Sequence, residues 1–80
     1  MSKELVTADQ LANWITTELQ KVEGCQYCKI TGVTPLREPD SEGCNWSDSV
    51  TVSSGGVPAD YFMPPVQRII LEARKKFNLG

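Results

Sequence analysis

The feature that most constrains this chain is a pair of helical periodicities, one near each end, separated by a middle broken by glycine and proline. In the first, Ala8, Leu11, Ala12, Ile15, Leu19 and Val22 recur at spacings of three and four. At 100° per residue they fall within an arc of about 100°, the width of a stripe that buries one side of a helix. Thr7 and Gln10 form a capping-box pair ahead of it, Asp9 suits the positive end of the dipole, and Gly24 supplies a stop. The spacing predicts a helix over residues 7–23. In the second, Val66, Ile69, Ile70, Ala73 and Phe77 form the stripe, Pro64 or Pro65 suits a first turn, and Lys75 and Lys76 suit a last turn. This predicts a helix from Pro64 or Pro65 to about Phe77.

Between them, residues 27–34 read as a strand, except that Ile30 and Val33 have opposite parity. A bulge at Thr31-Gly32 would turn both inward, and a glycine inside a strand often marks one. Residues 44–52 alternate more cleanly, with Cys44, Trp46, Val50 and Val52 on one face and Asn45, Ser47, Ser49 and Thr51 on the other. That parity makes Trp46 a core residue. Gly55-Gly56 then provides a turn. The prediction is one α+β domain spanning residues 1–80, in the order α-β-β-α, an antiparallel hairpin with two helices packed on one face. A lone two-stranded sheet is marginal in water, so either the helices supply most of the core or a partner extends the sheet.

Charge and residue usage exclude several functions. The 80 residues carry a net charge of −2, and the pI is about 4.9, a balance that disfavours nucleic acid as the main partner. There is no histidine, which removes the commonest general base and transition-metal ligand. No apolar run approaches the roughly 20 residues of a membrane helix, and the first six residues lack the apolar core of a signal peptide. Three cysteines, an odd number, fit reduced thiols. These features predict a soluble, cytoplasmic, non-enzymatic protein.

Each motif carries its own chemistry. Cys25-x2-Cys28 followed by Cys44 begins like a zinc ribbon, but the fourth position holds Ser47, with Asp48 beside it. Parity places Cys28 and Cys44 in the core and Cys25 in a turn, so no metal and no cofactor is expected. A thioredoxin-like role is disfavoured too, because Cys25 follows a helix C-terminus, where the dipole opposes a thiolate. Glu38, Asp40 and Glu42 do not have EF-hand spacing and read as a solvated loop. Asp60 to Pro65 reads as packing under the core, with Tyr61 an interface anchor if exposed.

Leu71 is the residue the fold itself does not use. It lies about 140° from Val66 on the helical wheel, outside the stripe, with Arg68, Arg74 and Lys75 on the same side. Trp14, with Glu18 one turn along, sits at the margin of the first stripe. An apolar or aromatic anchor with arginine at its edge is what interfaces favour. The expected interaction surface is therefore Leu71, Arg68, Arg74, Lys75, Trp14 and Tyr61.

Gly24-Cys25-Gln26-Tyr27-Cys28, Gly43-Cys44-Asn45-Trp46-Ser47 and Glu72-Ala73-Arg74-Lys75-Lys76-Phe77-Asn78 together resemble a group of small, mostly proteobacterial proteins of unknown function. The resemblance covers nearly the whole chain and implies a free-standing bacterial cytoplasmic protein, without assigning a ligand. The leading expectation is a small protein-interaction module, binding an unknown protein or a second copy of itself. The alternative is a metal- or nucleic-acid-associated protein using Cys25, Cys28 and Cys44 with the basic C-terminal helix.

Overall fold

The computed structural model describes residues 3–80. Along the chain it contains β1 (Glu4–Val6), α1 (Ala8–Gln20), β2 (Lys29–Gly32), β3 (Thr51–Ser53), α2 (Ala59–Lys76) and β4 (Phe77–Leu79). The class is α+β, as the periodicities require. The order is β-α-β-β-α-β, because a short strand flanks each end of the expected four-element core.

α1 begins where the capping box places it. Thr7 N–H donates to Gln10 Oε1 (3.0 Å), and Gln10 N–H donates to Thr7 Oγ1 (3.1 Å). Two otherwise unpaired donors of the first turn are thereby satisfied. Leu11, Ile15 and Leu19 are fully buried from the predicted stripe, while Ala8 is exposed on the first turn. The helix ends at Gln20, and Gly24 follows with φ +87°, a conformation glycine adopts without a Cβ penalty.

α2 starts a full turn and more ahead of the expected point. Pro58, extended at φ −62° and ψ 148°, serves as its N-cap, so Pro64 and Pro65 lie inside the helix. Neither proline has the N–H that would bond the carbonyls of Asp60 and Tyr61, and proline disfavours helical backbone in the residue before it. Tertiary anchors override both effects. Phe62 packs against the core, and Tyr61 Oη donates to Glu23 O (3.1 Å). From Pro65 onward Val66, Ile69, Ile70 and Ala73 are buried as predicted, the valine and the two isoleucines each stabilising the fold by about 1.5–3 kcal/mol.

Phe77 is not the last residue of that stripe. It leaves the helix at φ −130°, ψ 147°, and opens β4, which pairs in parallel with β1 in the register Glu4↔Phe77, Leu5↔Asn78, Val6↔Leu79. Gly80 N–H extends the ladder to Val6 O (3.0 Å). The Phe77 ring meets Trp14 edge to face at 5.2 Å.

β2 and β3 are antiparallel, with the expected bulge. Ile30 pairs with Val52 and Gly32 with Thr51, so Thr31 is the extra residue, and both Ile30 and Val33 reach the core. The second strand is shorter than the alternation suggested, covering Thr51–Ser53 and not residues 44–52. Trp46 forms an isolated bridge with Pro35, flanked by Leu36 N–H donating to Asn45 O (2.8 Å) and Ser47 N–H donating to Thr34 O (2.8 Å), while Gly43 O and Asn45 N–H turn to Asn78 of β4. α1 covers β2, while α2 packs chiefly on α1 and β4. A gap is left between α2 and β3.

Candidate functional site

Two regions concentrate the side chains that sequence reasoning singled out: a polar knot around Trp46 and Arg74, and the gap between α2 and β3.

The knot is built by the segment Gly43–Trp46. Trp46 is fully buried, and its indole Nε1 donates to Phe77 O (3.1 Å). Asn45 behaves as a stand-in strand for the far edge of β4: its Nδ2 donates to Leu79 O (2.7 Å), and its Oδ1 accepts from Leu79 N–H (2.8 Å). Asn78 reciprocates, with Nδ2 donating to Gly43 O (2.9 Å) and Oδ1 accepting from Asn45 N–H (3.3 Å). Residues predicted to form a β-ladder thus divide their backbone bonds between the Asn78 amide and the loop before them, where Leu36 N–H donates to Asn45 O (2.8 Å) and Asp40 N–H donates to Cys44 O (2.9 Å).

Arg74 closes the knot. Its side chain is only 11% exposed, and the guanidinium donates to Trp46 O, pairs with Asp40, and lies over the Trp46 ring at 5.6 Å. Arg74 is therefore an internal clamp and not part of the exposed face around Leu71. Asp40 also accepts from Cys44 N–H (3.0 Å) and Glu42 N–H (2.9 Å). The Cys44 amide, foremost, with the Glu42 amide and the Arg74 guanidinium, holds the Asp40 carboxyl below its ordinary range against a smaller opposing effect of desolvation. The acidic loop is thus a structural cap at Asp40.

All three cysteines are fully buried and unpaired, Cys25 included. Cys25 opens the expected turn, with Cys28 N–H donating to Cys25 O (3.1 Å), and Gln26 and Tyr27 at its centre are exposed while both thiols face the core. Cys28 Sγ donates to Ser54 O (3.5 Å), and burial, then its neighbour Cys25, pushes the Cys28 thiol above its ordinary value. Cys44 has separate partners: its Sγ donates to Arg74 O (3.1 Å) and accepts from Lys3 Nζ (2.7 Å). Among the described residues no three side chains of the histidine, cysteine, aspartate or glutamate type come together as a metal-holding group.

The other expected surface residues do not form one patch. Trp14 is partly buried under Phe77 and beneath Lys76 Nζ, 5.4 Å from its ring, while Glu18 pairs with Lys21 (2.8 Å). Tyr61, 54% exposed, lies on Gly24, where a Cβ would come within 2.5 Å of its hydroxyl oxygen. Arg68 and Lys75 are exposed on α2, and Glu72 pairs with Lys76 (3.1 Å).

Leu71 is 60% exposed and borders the gap between α2 and β3, a groove of about 470 Å³. Met63, Val66, Gln67, Ile70 and Leu71 form its helical wall, and Asp48, Ser49, Val50 and Val52 form the opposite wall. Sequence reasoning found Leu71 through its place outside the stripe but missed Met63, Val50 and Val52 beside it. The first was assigned to the chain entering the helix and the other two to the core face of a longer strand. No helix is long and apolar enough to cross a membrane among the described residues. Comparison with known protein families, with curated proteins and with solved structures gave no match.

Proposed function

We propose that this chain is a small, non-enzymatic, cytoplasmic protein-interaction domain whose docking surface is the groove between α2 and β3. The observation that carries the reading is the placement of exposed Leu71 and Met63 on the rim of a groove floored by Val66 and Ile70 and walled by Val50 and Val52. A surface of this kind presents a continuous apolar strip with a polar edge at Asp48, Ser49 and Gln67. An apolar centre with a polar rim is the ordinary anatomy of an interface, and a partner side chain seated there would be largely removed from water. The cytoplasmic assignment is supported by three cysteines that stay free, as a reducing compartment keeps them.

The test is Leu71→Glu. Leu71 is mostly exposed, so the substitution changes stability by only about 0.5 kcal/mol. Immobilised wild type and variant are compared for the proteins they retain, alongside sedimentation of each alone. The reading expects the variant to lose specific retained proteins, mass in solution, or both. Identical retained proteins together with identical mass would refute it.

A further inference from the structure

Resting on that reading, we propose that the occupant of the groove is a second copy of this chain, paired strand to strand along the open edge of β3. The first observation is a hydrogen bond on the far side of the sheet. Ile30 N–H donates to Thr16 Oγ1 (2.9 Å), so α1 caps the outer edge of β2. In an antiparallel ladder, directly opposed residues either exchange both backbone bonds or neither. Ile30 is opposite Val52 and spends its N–H on Thr16, so theirs is the pair that exchanges none. The N–H and C=O of Val52 therefore point away from β2, at the open edge of β3. By alternation those of Val50 do the same, and neither residue has a hydrogen-bond partner across the groove among the described residues.

The second observation is that this edge is unguarded. Exposed edges are ordinarily blunted by charged side chains, proline or a bulge. Residues 49–57 (Ser-Val-Thr-Val-Ser-Ser-Gly-Gly-Val) contain neither charge nor proline, and the one bulge lies on β2. This composition suits a second copy in particular. Antiparallel self-pairing about Val52 sets no like charges across the junction, places Asp48 near the glycine turn of the other copy, and lets the outward N–H and C=O of each Val52 pair with those of its counterpart. The result is a four-stranded antiparallel sheet in the order β2-β3-β3-β2, with Leu71 and Met63 beside the seat of the incoming strand.

The third is area. A long face of the molecule measures about 34 × 19 Å, roughly 650 Å² in projection. A standard interface takes roughly 800 Å² of accessible surface from each partner. A second copy must therefore cover most of this face, Leu71 and Met63 included, whereas a short linear peptide on the three residues of β3 covers far less of it.

The experiment is sedimentation of the full chain from about 10 µM to 1 mM. The expected result is a concentration-dependent rise from 8.8 kDa toward twice that mass. Val52→Pro removes the outward N–H and nothing that β2 uses, and edge strands tolerate proline. It is expected to keep the far-UV circular dichroism of the wild type and to dimerise at least tenfold more weakly. Should that variant fail to fold, exposed Thr51 decides the matter. Thr51→Lys and Thr51→Glu each set like charges across the two-fold axis and weaken association, and an equimolar mixture of the two restores it. A wild type that remains 8.8 kDa at 1 mM overturns the proposal, as does a folded Val52→Pro that dimerises undiminished. A monomeric wild type that still retains other proteins through Leu71 overturns self-pairing alone and leaves the docking groove standing.

Discussion

Replacing Trp46 by Phe isolates what the buried indole does for the fold. Phenylalanine keeps an aromatic ring in the site but removes the Nε1 donor, and so leaves Phe77 O, the first carbonyl of β4, without its 3.1 Å partner. An unsatisfied buried carbonyl costs about 1–3 kcal/mol. The smaller ring also leaves a void and weakens the contact with the Arg74 guanidinium, now at 5.6 Å, by about 0.5–1 kcal/mol. The expected loss is about 2–4 kcal/mol. For a domain of 80 residues total stability is about 4–12 kcal/mol, so Trp46→Phe stays folded with a sharply lower midpoint. Trp46→Ala loses about 3–5 kcal/mol from the cavity alone and lies near or beyond the threshold of unfolding. The assay is thermal unfolding followed by far-UV circular dichroism, with Trp14 as the remaining fluorophore in each variant. At about 4–8 °C per kcal/mol, Trp46→Phe is expected to lower Tm by at least 8 °C. A Trp46→Phe protein within 2 °C of wild type would show that the bond to Phe77 O does not hold β4 in place.

Two further outcomes test the rest of the architecture. Gly24→Ala is strained by φ +87° and drives its Cβ into the Tyr61 ring, so it is expected to cost about 1–2 kcal/mol. Tyr61→Ala should recover the steric part only, and full additivity of the two substitutions in denaturant melts would contradict the contact. Stability against pH should fall at both extremes. The Asp40 carboxyl titrates lower when folded than when unfolded, so its contribution is complete above about pH 4 and disappears as pH falls through the folded value. The Cys28 thiol titrates higher when folded, so its contribution is complete below about pH 8.5 and is lost above it. Asp40→Asn should flatten the acid limb and Cys28→Ala the alkaline limb, read from Tm across buffers; a limb that keeps its slope refutes the assigned group.

Local chemistry determined the parts of this protein that were legible in the sequence. Thr7 and Gln10 satisfy each other across one turn, the stripes at Leu11–Leu19 and Val66–Ala73 repeat with the helix, and the parity conflict of Ile30 and Val33 requires a bulge at Thr31. Each of these is a relation among residues close in sequence. Leu71 was legible as a candidate contact for the same reason, since its angle on the wheel depends only on its neighbours. The β1–β4 pair was not, because three-residue strands are too short to show a period and their pairing joins the two ends of the chain. Tertiary structure alone decided the fate of residues 43–46, whose alternation is that of a strand. Asn78, Arg74, Asp40 and Leu36 offer those backbone groups hydrogen bonds that a ladder with β2 would have to match. It also decided that Arg74 turns inward, away from Leu71, because Asp40 and the Trp46 ring meet it there. A helical wheel fixes the direction in which a side chain leaves its helix. What lies in that direction depends on residues 28 and 34 positions away.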